Sequence, residues 1–173
     1  MFLITNIMGG IFVLGSYTVC LSLYPEHREE LWGGVYGRMR RLFVLSMGVA
    51  AVGYLIFSHI FVFDILSSNS DAVFHLSFYS ILALTVIFLL FATLWMPASM
   101  KYLNTRQNTW LVLSLASLWV TALSLLSISA VTGNLIVNEF SNMRNYMALA
   151  GLSYMTFHCL VLDAILWGSL FNR

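Results

Sequence analysis

Apolar positions along this chain run in long unbroken blocks, not in alternation. Five blocks stand out: Leu3–Leu23, Leu42–Phe63, Val73–Pro97, Trp110–Val131 and Tyr146–Phe171. Each is long enough for a helix that crosses the hydrocarbon of a bilayer, which takes about 20 mostly apolar residues. Turn formers separate them, at Tyr24-Pro25-Glu26, Ser67-Ser68-Asn69-Ser70-Asp71, Asn104-Thr105-Arg106-Gln107-Asn108 and Asn138-Glu139-Phe140-Ser141-Asn142. A transmembrane β-barrel would instead show alternating segments of about ten residues. The pattern predicts an all-α polytopic membrane protein: one bundle of five transmembrane helices forming a single domain over residues 1–173. No linker, repeat or low-complexity tract divides it.

Composition sharpens this. Of 173 residues, 60% are hydrophobic and 9% charged, and the mean hydropathy is +0.88. Soluble domains carry about a quarter charged residues, so too few are present to coat a water-facing surface. Soluble enzymes and disordered regulators are excluded on this ground. A formal net charge of +1 leaves no basic footprint for nucleic acid. The cations are unevenly placed: Arg28, Arg38, Arg40, Arg41, Lys101, Arg106 and Arg173 fall on one side, and Arg144 alone on the other. The positive-inside rule then predicts an outside N-terminus and a cytoplasmic C-terminus. A cleaved signal peptide is not expected, since no cationic region precedes the first apolar run.

Candidate chemistry lies mainly in the fifth helix. Asp163 falls well within it, whereas the other acids fall in the connections. A carboxylate at helix centre costs ~2.5–3.5 kcal/mol on insertion scales, so a proton, a partner or a wet cavity must offset it. His158 precedes it by five residues, which on an α-helix turns the two side chains about 140° apart. Two polar stripes are therefore expected, Tyr154 with His158, and Thr156, Cys159, Asp163 and Trp167. Tyr154, Thr156, His158 and Asp163 are the candidate ligand-binding residues; a hydrogen-bonded glue between helices is the structural alternative. His59 and His75, at similar depth on adjacent helices, could ligate a haem or a metal. No nucleophile–base pair is visible, so an enzyme is not expected.

Other features read as structural. Ser114, Ser117, Thr121 and Ser124 form a heptad-like seam of small hydroxylated residues suited to close helix packing. Cys20 and Cys159 read as buried small apolar residues. Trp32, Trp95, Trp110 and Trp167, with Tyr24, Tyr102 and Tyr146, fall near span ends, where interfacial aromatic belts are expected. The first connection begins acidic and ends basic, which suits internal ion pairs, and its glycines forbid a long rigid helix.

Leu162-Asp163-Ala164-Ile165-Leu166-Trp167 resembles the Leu-Asn, followed four residues later by Trp, of the translocator protein or tryptophan-rich sensory protein family. Met47-Gly48-Val49-Ala50-Ala51 and Leu82-Ala83-Leu84 are looser echoes, and the helix count and long first loop agree. Asp163 replaces the family's asparagine, and its proline- and tryptophan-rich loop is reduced to Pro25 and Trp32. The resemblance implies a bundle cavity opening toward the first loop and binding porphyrins or sterol-like ligands. The resulting expectation is an integral membrane protein that binds or transports a small, largely apolar ligand, with no required cofactor. An accessory subunit or homodimer in a larger membrane complex, and a membrane haem protein, are the alternatives. Orientation is directly testable: an N-terminal tag should be protease-accessible from outside and a C-terminal tag from inside. Both tags on one side would mean a miscounted span.

Overall fold

The computed structural model describes residues 1–65, 72–138 and 141–171, and for 72–76 the backbone only. The turn at Ser67–Asp71, Glu139, Arg173 and the His75 side chain lie outside the described residues. Five long helices form the structure: α1 (Phe2–Leu23), α2 (Gly37–Ile60, continued by a π-helical turn Phe61–Ile65), α3 (Ala72–Thr105), α4 (Asn108–Asn138) and α5 (Met143–Phe157). α5 continues as a π-helix over His158–Trp167 and closes with one α-turn, Gly168–Leu170. All five are long and apolar enough to cross a membrane, and no strand occurs among the described residues.

The helices outrun the apolar blocks. α2 starts at Gly37, ahead of Leu42, taking Arg38, Arg40 and Arg41 into its first turns. α3 continues through Pro97 to Thr105. A proline removes one ladder hydrogen bond, a loss that helices of this apolar kind tolerate. α5 starts at Met143 because the Asn142 side chain accepts from the Asn145 N–H at 2.9 Å, a capping bond. The apolar block marks only the stretch that lipid would cover; the backbone ladder ends where a cap or a turn ends it.

Packing is sequential around the bundle: α1 on α3, α3 on α4, α4 on α5, α5 on α2. α4 is the most internal of the spans and α1 the least. α4 buries two adjoining stripes, one of them the seam of Ser114, Ser117, Thr121 and Ser124. Ser114 meets Ser99 of α3 at 2.7 Å between hydroxyls, and Ser117 donates to the Ser114 carbonyl. Both cysteines are free and buried.

α2 and α5 run antiparallel and touch backbone to backbone. α2 buries one narrow stripe, Phe43, Ser46, Ala50, Gly53, Phe57 and Ile60. At Gly53 this stripe meets Gly151 of α5 so closely that a β-carbon on Gly53 would lie 2.7 Å from the Gly151 carbonyl oxygen. Small residues at a crossing permit this approach.

The first connection folds back as two 3₁₀ turns, Pro25–His27 and Glu30–Trp32, and caps one end of the bundle. Arg40 forks onto Glu29 at 2.6 and 3.2 Å and lies over the Trp32 ring. The hydrogen bonds from Arg40 hold the Glu29 carboxyl below the usual carboxylate range. Arg106, between α3 and α4, reaches Glu30 at 3.0 Å. Gly33 adopts φ +53° with the Phe171 backbone pressed against it, a conformation and a space that only glycine fits. At the other end Arg144 pairs with Asp64 at 3.2 Å.

The crossing yields a stability prediction. Gly53→Ala or Gly151→Ala should overpack it and cost on the order of 1–3 kcal/mol. Gly48→Ala, in open space on the same helix, should be neutral or gain up to about 1 kcal/mol. Thermal unfolding in detergent measures all three; equal shifts would show that α2 and α5 can separate freely at Gly53.

Candidate functional site

The Gly53–Gly151 contact fixes where the polar residues meet. Seven residues back from Gly53 on α2 is Ser46; seven residues on from Gly151 on α5 is His158. In an antiparallel pair these positions face each other two turns from the crossing. The Ser46 hydroxyl lies 2.9 Å from His158 Nδ1 and 3.1 Å from the Tyr154 hydroxyl. Both Ser46 and His158 are buried, while Tyr154 keeps an exposed edge.

His158 also begins the π-helix. Its i→i+5 hydrogen bonds bring residue i+5 roughly above residue i. The Gly168 N–H accordingly points to the Asp163 carbonyl five residues back. His158 and Asp163 therefore share one face, with Nε2 3.6 Å from Asp163 Oδ2. This corrects the expectation of two side chains about 140° apart, which assumed α-helical geometry throughout. Tyr154, Ser46, His158 and Asp163 form one polar chain from α2 into α5. Nothing in the segment His-Cys-Leu-Val-Leu-Asp-Ala-Ile-Leu-Trp marks it as π-helical.

Thr156 does not join this chain. Its hydroxyl faces α4, 2.9 Å from that of Ser129, and donates back to the Leu152 carbonyl. It is a packing residue. His59 is exposed, with its ring 4.8 Å from that of Phe63; the His75 side chain lies outside the described residues. No cluster of three or more potential metal ligands occurs among the described residues.

Trp95 and Trp167 are not belt residues. They pack edge to face at 5.3 Å inside the bundle, and Trp167 also stacks on Phe171 at 4.1 Å. Trp167 is 4% exposed, and its indole N–H donates to the Leu31 carbonyl at 2.9 Å. A Trp near a span end is equally able to anchor a loop that folds back over the bundle. Tyr17 of α1 meets Trp95 edge-on at 5.6 Å and lies within electrostatic reach of Asp163 and Cys159.

Ser46 is the residue that sequence reasoning missed. The chain has many serines, and only the stripe of small and aromatic residues around Gly53 singles this one out. Its contact with His158 supplies a serine–imidazole pair invisible in the sequence. Ser46 is nonetheless only 8% exposed and shares its oxygen with Tyr154, which favours relaying or fixing protons over attacking a substrate. The asymmetry lies at Asp163. Its side chain is 29% exposed in mid-helix, and among the described residues no hydrogen bond reaches its carboxylate.

Ser46→Ala removes two hydrogen bonds at once and leaves the His158 Nδ1 side unpaired, at a cost of about 1–3 kcal/mol. Ser127→Ala, whose hydroxyl bonds only its own helix at an exposed position, should change stability by under about 0.5 kcal/mol. Chemical or thermal unfolding in detergent reads the difference; equal effects would mean that the Ser46–His158 contact is not maintained. Comparison with protein-family models, with curated proteins and with solved structures finds no match.

Proposed function

We propose that this is an integral membrane protein, N-terminus outside, that binds or transports a small, largely apolar ligand at the Asp163 end of the polar chain. The observation that carries this is the state of Asp163. A carboxyl serving only to join two helices would be enclosed, with both oxygens bonded, because unsatisfied polar groups in hydrocarbon are costly. Asp163 has instead, among the described residues, no hydrogen bond to its carboxylate, His158 at 3.6 Å, and a partly exposed side chain. An ionisable residue well within a span, partly exposed and without a hydrogen bond among the described residues, is a site hypothesis by the ordinary logic of membrane proteins.

The surroundings support a lateral approach. α1 leans on α3 and meets α2 near its own first turns, where Phe2 packs on Phe57 and Phe61 and Asn6 accepts from the Tyr54 hydroxyl. Among the described residues no hydrogen bond or ring contact joins α1 to α2 toward the capped end. The shallow depression lined by Val44, Leu45, Gly48, Val49 and Val52 is a different feature, an apolar groove on the side of α2 away from Ser46.

The test separates scaffold from site. Because the carboxylate makes no short hydrogen bond, Asp163→Asn and Asp163→Leu should each shift stability by less than about 1 kcal/mol. Native mass spectrometry of wild type released from mild detergent should show a retained small molecule, which both variants lose. Retention in both variants, or a loss of about 1–3 kcal/mol in the Leu variant alone, would make Asp163 scaffolding. A stable mass much larger than a monomer or dimer would move the assignment to an accessory subunit, and a Soret band to a haem protein.

A further inference from the structure

We infer that the ligand class at this site is a lipophilic organic cation, with Asp163 as its counter-charge and the rings of Tyr17 and Trp95 nearby. The inference rests on the ligand-site assignment of Asp163 above and adds the sign and shape of what binds there.

Charge comes first. The arginines for which a contact is described are engaged away from Asp163: Arg40 with Glu29, Arg106 with Glu30, Arg144 with Asp64, and Arg28 with the Leu21 carbonyl. Among the described residues no Lys or Arg pairs with Asp163; its one basic neighbour is His158, too distant at 3.6 Å for a hydrogen bond and already bonded through Nδ1 to Ser46. A carboxylate in low dielectric without a cation is strongly penalised. While the carboxyl is ionised, a ligand that brings positive charge offsets that penalty, a neutral one leaves it to a proton, and an anion adds to it.

The aromatic surroundings supply the second, independent observation. Tyr17 links the carboxylate to a run of rings, being within electrostatic reach of Asp163 and edge-on to Trp95, which in turn packs on Trp167. Aromatic faces attract cations, by ~2 kcal/mol or more where desolvated. Trp95 carries a further signal: its indole N–H is buried and has no hydrogen-bond partner among the described residues. Buried indole N–H groups ordinarily find an acceptor. A cation that also carries an ether, carbonyl or hydroxyl oxygen would fill both roles. A neutral sterol-like molecule would leave the carboxylate unbalanced.

The probe is tetraphenylphosphonium, with tetraphenylborate as its partner of the same shape and opposite charge. Each is equilibrated with the protein in lipid nanodiscs, and uptake by empty nanodiscs is subtracted. Wild type should bind the phosphonium at least tenfold more tightly than the borate. Asp163→Asn should abolish that preference, and Tyr17→Leu should weaken phosphonium binding severalfold. Trp95→Phe, which keeps a ring and loses the unpaired N–H, should leave phosphonium binding within about twofold. Equal binding of the two ions, or an unchanged preference in Asp163→Asn, would overturn the inference. If native mass spectrometry still finds a neutral or anionic molecule lost on Asp163 substitution, the site stands and only the charge assignment falls. If neither ion binds and no molecule is retained, both fall together.

Discussion

Everything at the candidate site depends on two helices touching through glycine. With no β-carbon at Gly53 or Gly151, α2 and α5 approach until backbone meets backbone. In a bilayer, where lipid tails are as apolar as leucine, close approach and interhelical hydrogen bonds replace the hydrophobic effect as the force that holds helices together. The crossing supplies the approach, and Ser46 with His158 supplies the hydrogen bond two turns away. A larger residue at the crossing would push the pair apart, and a separation of even 1 Å would carry the 2.9 Å contact beyond hydrogen-bonding range.

The π-helix then decides what that contact leads to. In α-helical register His158 and Asp163 would face different neighbours, and each would need its own partner. In π register they share a face, yet remain 3.6 Å apart. The result is a polar chain satisfied at one end and unsatisfied at the other. The tyrosine, serine and imidazole are bonded to one another, and the carboxylate is presented but not consumed. Long π segments are rare because their packing around the helix axis is poor. One of ten residues that aligns an imidazole with the lone mid-helix carboxylate gains its interest from that alignment.

The five helices were legible in the sequence because an apolar block of the right length needs no tertiary context to be read. So was the hydroxyl seam of α4, whose spacing of three and four is a property of any α-helix. Asp163, His158 and Tyr154 were legible as candidates because polar groups are conspicuous among apolar residues. Their joining was not, since a five-residue spacing says opposite things in α and π registers and the sequence signals only the first. Ser46 was hidden for a different reason: a hydroxyl matters here through the helix it faces, and that is fixed by glycines elsewhere. Trp167 was misplaced because an indole at a span end can face headgroups or a folded-back loop, and only the loop's Leu31 carbonyl decides between them.

The fastenings of the bundle are unequal, and that bears on how a ligand could enter. At one end the first connection is locked over α5 by the Trp167–Leu31 bond and by the Gly34 N–H to the Leu170 carbonyl, and to the α3–α4 turn by Arg106 to Glu30. At the other, α1 is held to α2 by Phe2 and Asn6, and α2 to α5 by Asp64 and Arg144. The exposed ion pairs contribute under about 1 kcal/mol each, so the buried indole and ring contacts carry most of the closure. Between the two ends α1 rests on α3, and Asp163, one turn before Trp167, keeps a partly exposed side chain. A ligand entering from water through an end would have to break packed contacts. On the proposal above, a carboxylate placed within the span would favour an apolar cation over most lipids, which offer it neither charge nor a donor at that depth.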